Sequence, residues 1–531
     1  MEKGVNPSEF TAQGGLDQET FDFLNQKRKR EKKILKNQKQ KLIEKYGSIK
    51  ETPIKVGPCK KIEPMIGDKS ALVLLTEFKD VKHTMGPEFF QDLLFSKGSG
   101  RSMRDYYLEA SYNQLDIDGT VNNQWFIAPR NINEYIDKTP VKGSFPLAMK
   151  LVEETIQRAK VNGVNFKPFA KDGKIELLTI IYAGEGMDTN LSVKTIWPHK
   201  AKLKNPIEVE KGIWADRYVL IPEYPLEDIG CICHEMGHLL GLPDFYNNYS
   251  TIAGFWCLMA AGGFLNGSKT PAHPSAWCKV HLGWREPTII NNLPNDYDIP
   301  AIINDDGMIY KLEVKDSDGK EYFLLENRQK KGFDSYLPDS GLLIWHVDED
   351  HCVNLQPNAD PKNYFITLIQ SDGKNELQKD KTKAIKELGL EAAKKDLTGD
   401  EGDAYPGITI NRTFDDQSRP NSNTYKGSES QVRVLSISDS SEIMKAQIGV
   451  LEPSTHSTNK SVDKKDKENF LRFLMAIANS EKKLTPYEEG YNAGIKDAGE
   501  KLKEEQGLKL YGKGYKQGNL QGYKKYLKKR E

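Results

Sequence analysis

A chain of 531 residues can bury at least one large core and, at usual domain sizes, forms roughly two to four units. Its 76 lysines and arginines are balanced by 76 aspartates and glutamates, so no global field marks a nucleic-acid or membrane-surface binder, and nucleic acid is not expected as a partner. No window approaches the roughly eighteen consecutive apolar residues of a spanning helix, the opening "MEKGVNPSEFTAQGG" lacks the apolar core of a secretory signal, and six cysteines (Cys59, Cys231, Cys233, Cys257, Cys278, Cys352) are too sparse for a disulfide scaffold while fitting either thiols or a few bridges.

Residues 1–60 form a basic segment whose "KRKREKKILKNQKQKLIEKYGS" spaces Ile34, Leu35, Leu42 and Ile43 at helical intervals; with the total charge balanced, a solvated helix is the plainer reading. A folded domain, assigned to 61–290, begins with "ALVLLTEF" from Ala71, a short apolar run typical of a buried strand. "IELLTIIYAG" from Ile175 and "DRYVLIPEY" from Asp216 supply further strands ahead of the helix predicted at "HEMGHLLGLPD". Residues 291–450 read as a β-rich extension: "GMIYKLEVKDSDGKEYFLLENR" predicts a hairpin across Asp-Ser-Asp-Gly, "GLLIWHVDED" another strand with a structural His346, and "SQVRVLSISDSSEIMKAQIG" the closing strands. A lysine-rich, helix-prone insertion, "KDKTKAIKELGLEAAKKD", interrupts it. Residues 451–480 have the composition of a tether, poor in large apolar residues. In the tail, 481–531, "YEEGYNAG" is echoed by "YGKGYKQG"; on a helix this sets a Tyr stripe beside a Gly stripe, which suits either a self-associating or attaching helical element or a disordered tail.

The motif "HEMGHLLGLPD" carries the chemistry. On a helix, His234 and His238 lie one turn apart on the same face and can aim both imidazoles at one ion, with Glu235 in reach of a water there. A bare pair of histidines at this spacing also occurs on ordinary helices. Gly241, three residues after His238, adds to the pattern, because glycine readily adopts the left-handed conformation that ends a helix. Such a turn lets Asp244 swing back as a third, carboxylate ligand, acceptable to zinc, and leaves one position for water. The acidic run "DLTGDEGD" offers Asp396, Asp400, Glu401 and Asp403 as hard oxygens suited to Ca2+, but its spacing is not that of an EF-hand and an acidic surface turn is the commoner reading.

The long motif resembles those of the metzincin zinc peptidases, with aspartate where histidine is the usual third ligand. That departure is shared by the immune-inhibitor-A-like metallopeptidases, whose expected form is HExxHxxGLPD. The resemblance extends to "RDYYLEASYNQLDIDGTV" from Arg104, "TIWPHK" from Thr195, "WCLMAAGGF" from Trp256, "PAHPSAWCKVHLGW" from Pro271, "YFLLENRQKKGFD" from Tyr322 and "GDEGDAYPG" from Gly399, and covers residues 70–450. It implies an α+β fold, a metzincin-like catalytic domain with a mixed sheet and an active-site helix, followed by the β-rich extension and the tail. It further implies Zn2+ on His234, His238 and Asp244, Glu235 as general base, a turn at Gly241 and a methionine turn at Met259. Ala261 stands where many metzincins carry an oxyanion-stabilising tyrosine, so Tyr246, Tyr249 and His273 are the remaining candidates.

The expected function is zinc-dependent hydrolysis of peptide bonds in protein substrates. Rival readings are a catalytically silent binding or particle-associated protein on the same scaffold, and a zinc hydrolase of non-peptide amides. Cys59, upstream of the catalytic domain in "VGPCKKIEP", is a candidate latency ligand for zinc, against the plainer reading of an ordinary cysteine at the domain edge. The resemblance implies export; the N-terminus implies no classical signal, which leaves intracellular and non-classically exported locations open.

Overall fold

In the computed structural model, residues 62–451 are described, apart from 138–144, 187–194, 225–227, 248–249, 316, 353–357, 359–362, 382 and 385–396. The basic segment 1–60 and the tether and tail from 452 onward therefore lie outside the described residues, as does most of the lysine-rich insertion. The first half runs β1 (Gly67–Glu77), α1 (Pro87–Phe95), α2 (Met103–Ala110), β2 (Leu115–Ile127), α3 (Pro146–Val161), β3 (Ala170–Lys171), β4 (Lys174–Ile175), β5 (Leu177–Glu185), β6 (His199–Glu210), β7 (Ile213–Tyr224), α4 (Gly230–Leu240) and α5 (Ala276–His281).

These strands form one mixed sheet in the order β2-β1-β5-β7-β4-β3, with β6 added antiparallel to β7. β1 pairs in parallel with β2 and with β5, and β5 in parallel with β7. A central parallel strand is covered on both faces, which is why "ALVLL" is a continuous apolar run rather than an alternating one. Its period of two is nevertheless used: Ala71, Val73 and Leu75 enter the core on the side of α1, α2 and α4, whereas Leu72 and Leu74 enter the core under α3.

The second half contributes β8 (Thr288–Ile290), β9 (Asn295–Pro300), β10 (Ile309–Glu313), β11 (Glu321–Arg328), β12 (Gly341–Asp348), β13 (Ile366–Ile369), β14 (Val432–Leu435) and β15 (Ile443–Val450). A five-stranded sheet, β13-β12-β11-β10-β8, faces a three-stranded one, β14-β15-β9, across a third core. The hairpin expected across Asp-Ser-Asp-Gly is present as antiparallel β10 and β11. His346 is packed as a structural residue: its Nε2 lies 2.9 Å from Glu321 Oε1 and its ring is stacked between Phe323 and Tyr425.

Packing does not stop at residue 290. On β11, Phe323 and Leu325 face the sandwich core, while Tyr322 and Leu324 join the core that contains α4. Trp345 of β12, Phe365, Leu377 and Ala404 join it too. The helix that carries the histidines is thus packed in one hydrophobic cluster with residues from far down the chain. Among these long-range contacts, Trp256 Nε1 donates to Asp403 Oδ2 at 2.7 Å. Gln370 Nε2 and the Asp400 amide donate to the same carboxyl group.

Burial of Asp403 outweighs those donors and pushes its pKa from the ordinary 3.8 up to about 7. A raised folded-state pKa contributes stability that is complete below 3.8 and is lost as pH rises through about 7. In Asp403→Asn the group cannot ionise, so urea midpoints measured across this range should depend less on pH than in the parent, the variant gaining relative to it above pH 7.

Candidate metal centre

Helix α4 carries His234, Glu235 and His238 and ends at Gly241, whose φ of 113° lies in the left-handed region. The Leu242 amide donates to Gly237 O at 3.0 Å and the Gly241 amide to His238 O at 3.2 Å, closing the helix with a Schellman-type turn. The reversal brings Leu242 O to 2.7 Å from His238 Nδ1. Two residues on, Asp244 Oδ1 lies 3.2 Å from His234 Nε2 and 3.2 Å from His238 Nε2. One ligand atom from each of the three side chains falls within 4.8 Å of the others, and among the described residues no other set of three such groups does so.

The other ring nitrogens explain the aim. His234 Nδ1 is 2.9 Å from Leu258 O and His238 Nδ1 is engaged by Leu242 O. A backbone carbonyl only accepts, so both Nδ1 atoms carry a proton and both Nε2 atoms are turned inward, the ring orientation a metal ligand requires. The centre is electrostatically poised for a cation. Burial opposes a charged ring, yet the Asp244 carboxylate more than offsets it and pushes His234 up to about 9. Burial likewise opposes the charge of Asp244, but the two histidines hold it well below the usual carboxylate range. These donors, two imidazoles and a carboxylate, fit Zn2+.

Glu235 is buried and its pKa is raised, chiefly by desolvation. Its Oε2 is buried without a hydrogen-bond partner, which a folded protein tolerates where a water or ligand group is to be met. Met259 is fully buried, and its carbonyl accepts the Phe245 amide at 2.7 Å, tying the methionine turn to the segment that bears Asp244.

Sequence reasoning left two supports unremarked. A Cβ on Gly237 would lie 2.7 Å from Met259 Sδ, so the glycine between the histidines is what lets the sulfur press against the helix. A glycine at that place in "HEMGH" was the available signal. Tyr106 and Tyr107, the doubled tyrosine of "RDYYLEASYNQ", are wholly buried and donate to Ala272 O and to Cys233 O, the latter the residue just before His234. No spacing rule distinguishes such tyrosines from core aromatics.

Of the oxyanion candidates, His273 is wholly buried and 2.9 Å from Glu109 Oε1, and Tyr249 lies outside the described residues. Tyr246 stacks at 6.2 Å on the His234 ring. Burial, reinforced by the Asp244 and Glu235 carboxylates, raises its phenol pKa well above the usual value. Cys59 also lies outside the described residues. Cys231, Cys233, Cys257 and Cys278 are not in disulfides, whereas Cys352 is disulfide-bonded. Of the acidic run, Asp396 is not among the described residues and Asp403 is turned inward against Trp256 and Gln370.

Comparison with known proteins matches residues 68–286 to the family described as "Immune inhibitor A peptidase M6, catalytic domain". A "Pre-pro-metalloprotease PrtV" of Vibrio cholerae is 29% identical over 238 residues, covering 37% of this chain and 26% of that protein. "Immune inhibitor A" of Bacillus thuringiensis subsp. alesti is 25% identical over 284 residues, covering 42% of this chain and 40% of that protein. The chain thus spans well under half the length of these relatives. The matched region includes α4 and all three converging side chains, and over residues 68–286 the chain is similar to the catalytic domain of the immune inhibitor A peptidases.

Proposed function

We propose that this protein is a zinc-dependent endopeptidase with a metzincin-like catalytic core, in which His234, His238 and Asp244 hold the metal and Glu235 is the general base. The observation that carries the reading is the convergence of both Nε2 atoms on Asp244 Oδ1 with both Nδ1 protons committed to backbone carbonyls. When bound, zinc supplies Lewis acidity, making water acidic near neutral pH and polarising a carbonyl.

The protein's own part is positional and protonic. Glu235 takes the proton of the attacking water and delivers it to the departing amine nitrogen. Among the described residues, Tyr246, beside His234, is the side-chain candidate for donating to the developing oxyanion, and Tyr249 is kept as a candidate. A peptide is the substrate class because β6 is the antiparallel margin of the sheet, packed against α4, and among the described residues it pairs only with β7. An extended chain can add its main-chain hydrogen bonds to such a margin. Zinc is the assigned metal; Ca2+ on the acidic run is carried as a sequence expectation that the same metal analysis tests.

An extracellular location is the accompanying proposal, supported by the disulfide at Cys352, since such bonds persist in oxidising compartments. No helix among the described residues is long and apolar enough to cross a membrane. The division into a catalytic domain (61–290), an extension (291–450), a tether (451–480) and a Tyr/Gly tail (481–531) is retained as a functional proposal, with the tail as an attachment or self-association element.

Two substitutions separate the assigned roles. Glu235→Gln keeps the side-chain shape without its basicity, so zinc should stay near one per chain while peptide hydrolysis falls by at least roughly 10²-fold. Asp244→Ala should lose zinc to mild chelation, with activity following metal occupancy. Tight zinc in Asp244→Ala together with retained hydrolysis would remove Asp244 from the ligand set. A parent chain that binds zinc but cleaves neither casein nor short peptides would favour the silent-scaffold reading. Deletion of residues 455–531 should leave turnover of a short peptide per molecule nearly unchanged while altering oligomeric state, measured by light scattering; a large loss of turnover refutes the dispensable tail.

A further inference from the structure

We infer that Arg328, on β11 of the β-rich extension, is a positioning residue for His234, acting through the segment Trp256–Met259. The inference rests on the metal-centre reading above and assigns to the extension a part in it.

Arg328 is wholly buried, and a guanidinium survives burial only when its donors are matched. Its Nε and Nη2 form a bidentate pair with Asp334, at 2.7 Å and 2.5 Å. The third arm, Nη1, donates to Trp256 O at 3.3 Å and lies 3.4 Å from Glu326 Oε1. From there two routes reach the site. One is direct: Trp256 lies three residues before Met259, whose Sδ meets the helix at Gly237. The other runs through Asp334, whose Oδ1 accepts the His273 amide at 2.9 Å; His273 O accepts the Leu258 amide at 3.3 Å. Leu258 O is the acceptor that fixes His234 Nδ1.

Both routes end on the backbone that orients one metal ligand, and both start from one side chain beyond residue 290. Neither involves a group that touches substrate, so Arg328 positions rather than catalyses. Groups that orient a ligating histidine typically alter metal affinity 10- to 100-fold when changed. Lysine at this position would keep the charge beside Asp334, but a single ammonium has no planar fork with which to grip a carboxylate at two points and a carbonyl at a third.

The test uses the full chain. Zinc affinity of the parent, Arg328→Lys, the milder Asp334→Asn and the control Leu325→Ala is measured by competition with a chromophoric chelator, alongside the visible absorption of the Co2+-substituted proteins. Leu325 lies on the same strand but in the sandwich core, so its truncation destabilises without touching either route. Arg328→Lys should bind zinc roughly tenfold or more weaker, with a shifted Co2+ spectrum. Asp334→Asn should move both readouts the same way by less, and Leu325→Ala should keep parental affinity and spectrum despite a lower Tm. Should Arg328→Lys not fold, Asp334→Asn against Leu325→Ala decides alone. Parental affinity in the variants that fold, or an equal loss in Leu325→Ala, overturns the inference. A parent that binds no zinc overturns the metal-centre reading and this inference with it.

Discussion

The candidate centre depends on two backbone carbonyls. Leu258 O and Leu242 O each accept the Nδ1 proton of one histidine, and this alone fixes both ring directions. Without those acceptors, two histidines one turn apart would be a common surface pair. With them, the inward nitrogens share one carboxylate oxygen at equal distances. Each carbonyl belongs to a segment held by something else: Leu242 by the reversal at Gly241, Leu258 by the methionine turn and by His273. Chain reversal, turn and helix form a single mechanical unit.

What holds that unit from below is a set of charges removed from water. Lys279, Glu326, Arg328 and Asp334, with the His273 ring beside them, are all buried where α2, α5 and the extension meet. Buried ions contribute little net stability when paired and cost a great deal when one partner is lost. Their value here lies in direction: a forked guanidinium and a carboxylate accept few geometries, whereas apolar side chains in the same space accept many. Alternation along β11 adds to this, since Tyr322 and Leu324 anchor the strand in the core of α4 and Phe323 and Leu325 in the sandwich.

Much of this was legible in the sequence where a local rule applies. The strand at "ALVLL", the hairpin at Asp-Ser-Asp-Gly and the turn at Gly241 follow from apolar periodicity and glycine's conformational freedom. The three converging side chains follow from a one-turn spacing plus that turn. The carbonyl acceptors were not legible, because every residue carries one and only the tertiary path says which faces a ring. The shared core was hidden for a related reason: a strand buried on both faces shows the same apolar run whether its two neighbours belong to one unit or to two. Trp256, Arg328 and Asp403 looked like isolated landmarks, since their partners lie 72 and 147 positions away from the tryptophan.

That sharing bears on the order in which the protein is made. Synthesis delivers the helix with its histidines well before β11, and Asp403 later still. Domains emerge from the ribosome N-terminus first, and contacts distant in sequence form late. A nascent chain released only as far as the end of the family-matched region would display the apolar faces that Leu324, Trp345 and Phe365 go on to cover. Its histidine helix would lack the buttress beneath Trp256. The arrangement makes the chain through Asp403 a condition for a well-formed site, so that chains ending before β11 carry the histidine helix without the residues that support it.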